Sequence, residues 1–100
     1  MEELEQKVIE WAEDRGIIAH STPQAQALKA VSEMGEVADA VIKGDRDALI
    51  DGIGDVMVCL INLAHMSGTD LEECIEAAWD EIKDRKGFMV PGGAFVKETT

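Results

Sequence analysis

The stretch KAVSEMGEVADAVIKGDRDALIDGIGDVMV, residues 29–58, decides the fold. Glu33 and Glu36 are spaced i, i+3, and Asp51 and Asp55 i, i+4, so each pair stands one turn apart on a single helical face. Gly44, between the pairs, is a natural C-terminal helix stop. Positions 33 and 55 are equidistant from 44, and 36 and 51 very nearly so. A chain that folds back at Gly44 as a helical hairpin brings Glu33 level with Asp55 and Glu36 with Asp51. Four carboxylates then converge on one patch between antiparallel helices.

Outward from this hairpin the periodicity stays helical until the last dozen residues. Ser21-Thr22-Pro23 starts the helix that carries Glu33, with a hydroxyl to cap it and a proline in its first turn. Before it, residues 2–15 place Leu4, Val8, Trp11 and Ala12 on the core face of a first helix that stops at Gly16. Asp45 or Asp47 opens the third helix, which ends near Ser67-Gly68. Thr69-Asp-Leu-Glu72 has capping-box spacing and starts a fourth, running to Gly87 with Lys83, Arg85 and Lys86 in its last turn. Residues 88–100, with Pro91-Gly92-Gly93, form a turn-rich tail with room for a short hairpin. The expected fold is all-α, one domain over residues 1–100: a hairpin of two long helices plus flanking helices. The third helix is apolar almost all round from Val56 to Met66 and wants burial on every side. That points to an oligomer, a symmetric dimer whose two hairpins form a four-helix-bundle core, with a compact monomeric bundle as the alternative.

Composition narrows the function classes. The chain has 100 residues, 21 acidic against nine basic, for a net charge of −12. At this size a chain buries roughly 65% of its unfolded surface, enough for one core. A nucleic-acid polymer or an anionic membrane needs a basic face, so both are excluded as partners. The 46% hydrophobic content excludes a disordered acidic tail. The acidic start MEELEQ is no secretory signal, and the run from Val56 to Met66 falls short of the ~20 residues of a membrane span. Cys59 and Cys74 have neither CxxC nor Cys/His metal spacing and are read as reduced core residues. These signs place the protein in the cytoplasm.

Four converging carboxylates repel one another unless a divalent cation compensates. An all-oxygen donor set selects a hard ion, Mg²⁺ with Mn²⁺ as a possible substitute. Zinc is disfavoured without histidine or cysteine at ligand spacing, and di-iron without a Glu-x-x-His element. The bland reading, two acidic pairs on solvated helix faces, is common in so acidic a chain. Against it stand Gly35, Gly52 and Gly54, each costing about 1 kcal/mol inside a helix and each beside these acids, which suggests close backbone approach. His20, in a loop, and His65 are read as structural or solvated, and Trp11 and Trp79 as core or interface residues. Lys83, Arg85 and Lys86 either complement a helix dipole or bind phosphate. Lys29, one turn before Glu33, either pairs with it or reaches a phosphate.

Lys-Ala-Val-Ser-Glu33-Met-Gly-Glu36, a spacer, and Asp51-Gly-Ile-Gly-Asp55 resemble the MazG-like all-α nucleoside triphosphate pyrophosphohydrolases, whose pattern is Glu-x-x-Glu, a spacer, then Glu-x-x-Asp. Leu71 to Gly87, ending Lys83-Asp-Arg85-Lys86-Gly87, is similar to the next helix of small phage and bacterial members. The resemblance covers roughly residues 22–97. It implies a Mg²⁺-dependent cut of a (deoxy)nucleoside triphosphate between the α- and β-phosphates, in a dimeric or larger assembly. It carries over Glu33, Glu36 and Asp55 as metal ligands and the groups near Lys83 and Arg85 as phosphate holders. Gly52 stands where the pattern's second Glu is expected, with Asp51 as its substitute. Ser32 stands where many members have an extra acid, which leaves Glu36 as the base. Asp80 stands where an asparagine near the substrate is common. A non-catalytic metal- or nucleotide-binding helical module is the alternative reading.

Overall fold

A computed structural model describes residues 1–98 of the chain. Local signals delimit the two long helices. Thr22 is extended and its hydroxyl accepts from the Ala25 amide at 3.0 Å, with Pro23 opening helix α3, Pro23–Lys43. Gly44 turns left-handed at φ 67°, and the Asp45 amide closes back on the Ala40 carbonyl at 3.0 Å. Asp45 then caps helix α4, Arg46–Met66, by accepting from the Ala48 amide at 3.0 Å. A two-residue corner thus folds two 21-residue helices into the expected hairpin. Its inner seam is made of small and polar residues: Gln26, Ala30, Val37 and Ala40 of α3 are buried, as are Gly52, Cys59 and Asn62 of α4. Gly52 is required there, because a Cβ on it would meet Val37 Cγ2 at 3.0 Å.

Helix α1, Glu2–Asp14, packs on α4 and not through the face the periodicity suggests. Glu5, Ile9 and Ala12 are buried, whereas Leu4 and Trp11 are exposed. The face is rotated because Glu5 turns inward: its Oε1 accepts the Leu71 amide at 2.9 Å, at the start of helix α5, Leu71–Ile82. Trp11 instead lies beneath the Arg15 guanidinium, 4.6 Å from its ring centroid. One short helix was not expected. It is α2, Ile17–His20, entered through Gly16 at φ 77°, so His20 ends a helical turn rather than lying in a loop.

Asp70, not Thr69, caps α5, accepting from the Glu73 amide at 2.8 Å. The helix stops at Ile82, so Lys83, Arg85 and Lys86 fall in the turn after it rather than in its last turn. Sheet pairing takes the backbone a longer helix would need. Strand β1, Gly87–Met89, pairs antiparallel with β2, Phe95–Lys97, and the Glu98 amide donates to the Lys86 carbonyl at 2.7 Å. This hairpin occupies the turn-rich tail, whose residues 99 and 100 lie outside the described residues.

Helix α5 buries none of its residues, and Ile75, Trp79 and Ile82 stay exposed. Cys74, on this helix, is exposed, contrary to its reading as a core thiol; Cys59 is buried, and both are free. The radius of gyration is 16.2 Å, against about 13 Å for a compact domain of this length. Helix α4 is long and apolar enough to cross a membrane by length and composition alone, with mean hydropathy 1.5. Its buried seam instead lies along α3, and Ile50 and Ile53 on its outer side are exposed.

Candidate metal centre

The reflection about Gly44 places acids together. Glu33 and Glu36, one turn apart on α3, meet Asp55 of α4, and one carboxylate oxygen from each lies within 4.8 Å of the others. The Val37–Gly52 contact, next along the seam, holds the two backbones close enough for this. Glu33 is mostly buried, with Oε1 paired to Lys29 Nζ at 3.4 Å. Its Oε2 is buried with no hydrogen-bond partner. Nothing donates to that oxygen unless a proton or a cation arrives. Glu36 is held above the ordinary carboxylate range, first because in its protonated form it donates to Glu33. Repulsion from the Glu33 charge, burial and the Asp55 charge push the same way, and Lys29 opposes them.

Asp51 is not part of this compact trio. It lies on the exposed side and lines, with Glu36, Asp39, Lys43, Gly52 and Asp55, a cavity of about 340 Å³. Sequence reading missed Asp39 and Lys43, although Glu36, Asp39 and Lys43 are spaced i, i+3, i+7 along one face of α3. Of the three glycines beside the acids, only Gly52 answers to close backbone approach. A Cβ on Gly35 or Gly54 would meet nothing within 4 Å.

Of the basic groups, Lys29 is at the cluster, paired with Glu33. Lys83, just past α5, pairs with Asp80 in its last turn at 3.3 Å. Arg85 and Lys86 line a separate depression with Lys97 and Glu98. Within one chain these groups do not line the acidic cavity, because α5 leans on α4 and makes no sizeable contact with α3. His65 approaches only Glu13, at 4.0 Å.

Three oxygen donors, one of them buried and unpartnered, fit a hard divalent cation, and among the described residues no histidine or cysteine joins the group. The chain is similar to known proteins. An uncharacterized 18.2 kDa protein of the rep-hol intergenic region of Haemophilus phage HP1 is 37% identical over 70 residues, 70% of this chain and 43% of that protein. The chain therefore matches less than half the length of this relative. The cyanophage S-2L MazG-like pyrophosphohydrolase, solved with dGDP and three catalytic Mn²⁺ ions per active site, superposes with a TM-score of 0.72. That match covers 98% of this chain and 92% of the cyanophage chain at 22% identity, so it shows a shared fold. Residues 21–88, which span the hairpin, α5 and the first strand residues, match the MazG nucleotide pyrophosphohydrolase domain. With two thirds of its length inside that domain, the chain belongs to the MazG nucleotide pyrophosphohydrolase family.

Proposed function

We propose that residues 1–100 act as one MazG-like domain that hydrolyses a nucleoside triphosphate, ribo or deoxy, between its α- and β-phosphates. The products are the monophosphate and pyrophosphate, and the cofactor is Mg²⁺, with Mn²⁺ able to replace it. The convergence of Glu33, Glu36 and Asp55 around an unpartnered buried oxygen carries this reading. Family membership supports the reaction, and the dGDP and Mn²⁺ held by the cyanophage protein support a nucleotide and a divalent ion.

Glu33, Glu36 and Asp55 would hold the metal, with Asp51 joining from the cavity rim. Bound there, the metal supplies charge to neutralise the phosphates and acidify an attacking water. Glu36 is the carboxylate we assign to accept the water's proton. Lys29, paired with Glu33, and Lys43, lining the cavity, are the cations this reading offers to the phosphates. Asp80, Lys83, Arg85 and Lys86 contact the nucleotide from a second copy, since within one chain they lie off the cavity. A homodimer or homotetramer is thus part of the reading, as is a cytoplasmic location with no nucleic-acid polymer or membrane as partner.

Gly52 in place of the family's second glutamate favours one rival, a module that binds nucleotide and metal without turnover. Pyrophosphate release from the eight common (d)NTPs, with Mg²⁺, Mn²⁺ or EDTA, separates the two. Metal-dependent release with monophosphate as co-product is expected. Nucleotide binding by a folded, metal-loaded protein without release would establish the rival.

A further inference from the structure

The cavity beside the acids has a direction. Glu36 and Asp55 stand at one end of it, and Lys43, Asp45 and Ala48 at the other, by the Gly44 corner. Lys43 lies seven residues beyond Glu36 on the same face of α3, about 10 Å along the axis. On the other side of the acids the seam is closed, with Gln26, Ala30, Cys59 and Asn62 buried. A group held at Glu33, Glu36 and Asp55 therefore extends toward the corner and not toward the start of α3.

The lining says which group that is. Its charged members are carboxylates and one ammonium. Its uncharged members are Ala40, Ala48 and Gly52, with no aromatic or large apolar side chain to lie against a base. A row of carboxylates suits divalent cations shared with phosphate oxygens, the usual way Mg²⁺ is held. Lys43 suits the phosphate charge left over. The two lysines near the acids differ in this respect. Lys29 is already paired with Glu33, at 3.4 Å, and does not line the cavity. Lys43 shares the cavity with Asp39, Asp45 and Asp51, yet among the described residues no carboxylate lies within ion-pair distance of its Nζ. Helix side chains lean toward their own N-terminus, which turns Lys43 back along the groove toward Glu36.

We infer that the phosphate chain lies along this groove with its α-phosphate at the acids and its terminal phosphate at Lys43. Lys43 is then the residue that tells a nucleoside triphosphate from a diphosphate, because a diphosphate bound the same way ends one phosphate short of it. The inference rests on the proposed reaction and adds the direction in which the substrate lies. Water forms the new bond to the α-phosphorus and gives its proton to Glu36. The bond to the bridging oxygen breaks, and pyrophosphate leaves at the corner end with that oxygen and the electron pair. Lys43 acts here within one chain, whereas Lys83, Arg85 and Lys86 reach the nucleotide only from a second copy. The bland role, a lysine complementing the C-terminal dipole of α3, touches stability and not ligand choice.

Calorimetry in Mg²⁺ tests it, using the α,β-methylene analogues of the eight common (d)NTPs, which cannot be cut at that bond, and the matching diphosphates. Lys43→Gln is expected to weaken the triphosphate analogues about tenfold, the size of one lost charge-assisted hydrogen bond, and to leave the diphosphates within about twofold. Lys43→Arg is expected to keep the preference for triphosphate. Lys7→Gln, on the exposed side of α1, removes the same charge far from the groove and is expected to change neither affinity. A Lys43→Gln protein with lower Tm and both affinities intact overturns the inference, as does equal weakening of triphosphates and diphosphates. With metal-dependent pyrophosphate release by the wild type, either result leaves the reaction standing and removes only the direction. A wild type that binds none of the analogues and releases no pyrophosphate overturns both.

Discussion

Gly52 is where packing and chemistry share one atom's worth of space. Val37 is β-branched and sits with its Cγ2 at 3.0 Å from where a Cβ would be, so it has little freedom to give way. Gly52→Leu is expected to spread the hairpin, to cost about 2 kcal/mol in urea unfolding, and to weaken metal binding measured by calorimetry. Glu36 yields a prediction with a definite sign. Its carboxyl is raised in the fold, so its contribution to stability is fully present below the ordinary glutamate range and is lost as pH rises through the raised value. Metal-free protein should therefore unfold at lower urea concentration at pH 7 than at pH 5, and Glu36→Gln in EDTA should raise Tm. With Mg²⁺ present the same substitution should lower pyrophosphate release by about 100-fold or more, a direct ligand mattering at least as much as outer-shell partners do. Asn62 is buried with its Oδ1 unpartnered, so Asn62→Leu, which has the same branched shape with apolar ends, should stabilise the fold by about 1 kcal/mol. Glu33, Glu36 and Asp55 were legible because spacing and reflection are arithmetic. The orphaned oxygens were not, since satisfaction depends on which atoms a fold brings near.

At the scale of elements, the ends of α3 and α4 were legible because their signals are local. Thr22, Pro23, Gly44 and Asp45 act on backbone groups within a few residues of themselves. The face of α1 was not, because Glu5 turns inward to a partner 66 residues away in sequence. The end of α5 was missed for a related reason: strand pairing of Gly87 with Lys97 outweighed the helical continuation that its lysines and arginine suggested. Glu5 is thus the tie between the N-terminal helix and the start of α5. Glu5→Ala should cost about 1–2 kcal/mol, and hydrogen exchange should speed up in the first turn of α5 before it does so in the α3–α4 hairpin.

For the whole molecule, a radius of gyration of 16.2 Å and a helix α5 with no buried residue describe an open chain, with apolar surface that the proposed oligomer would cover. The apolarity of α4 was legible in the sequence, but which faces stay open became visible only once α1 and α3 had taken theirs. If the proposed oligomer forms, association adds stability by mass action, so Tm should rise with protein concentration, several degrees over a hundredfold range, and differential scanning calorimetry would read it directly. A Tm independent of concentration would contradict the oligomer. The hairpin itself has a different history in time. All three converging acids lie between positions 33 and 55, joined by a two-residue corner, so the cation cluster needs no long-range loop closure. Contacts this local form early. A chain emerging from the ribosome can bring its three carboxylates together as soon as α4 clears the exit tunnel, while α5 and the terminal strands are still enclosed within it.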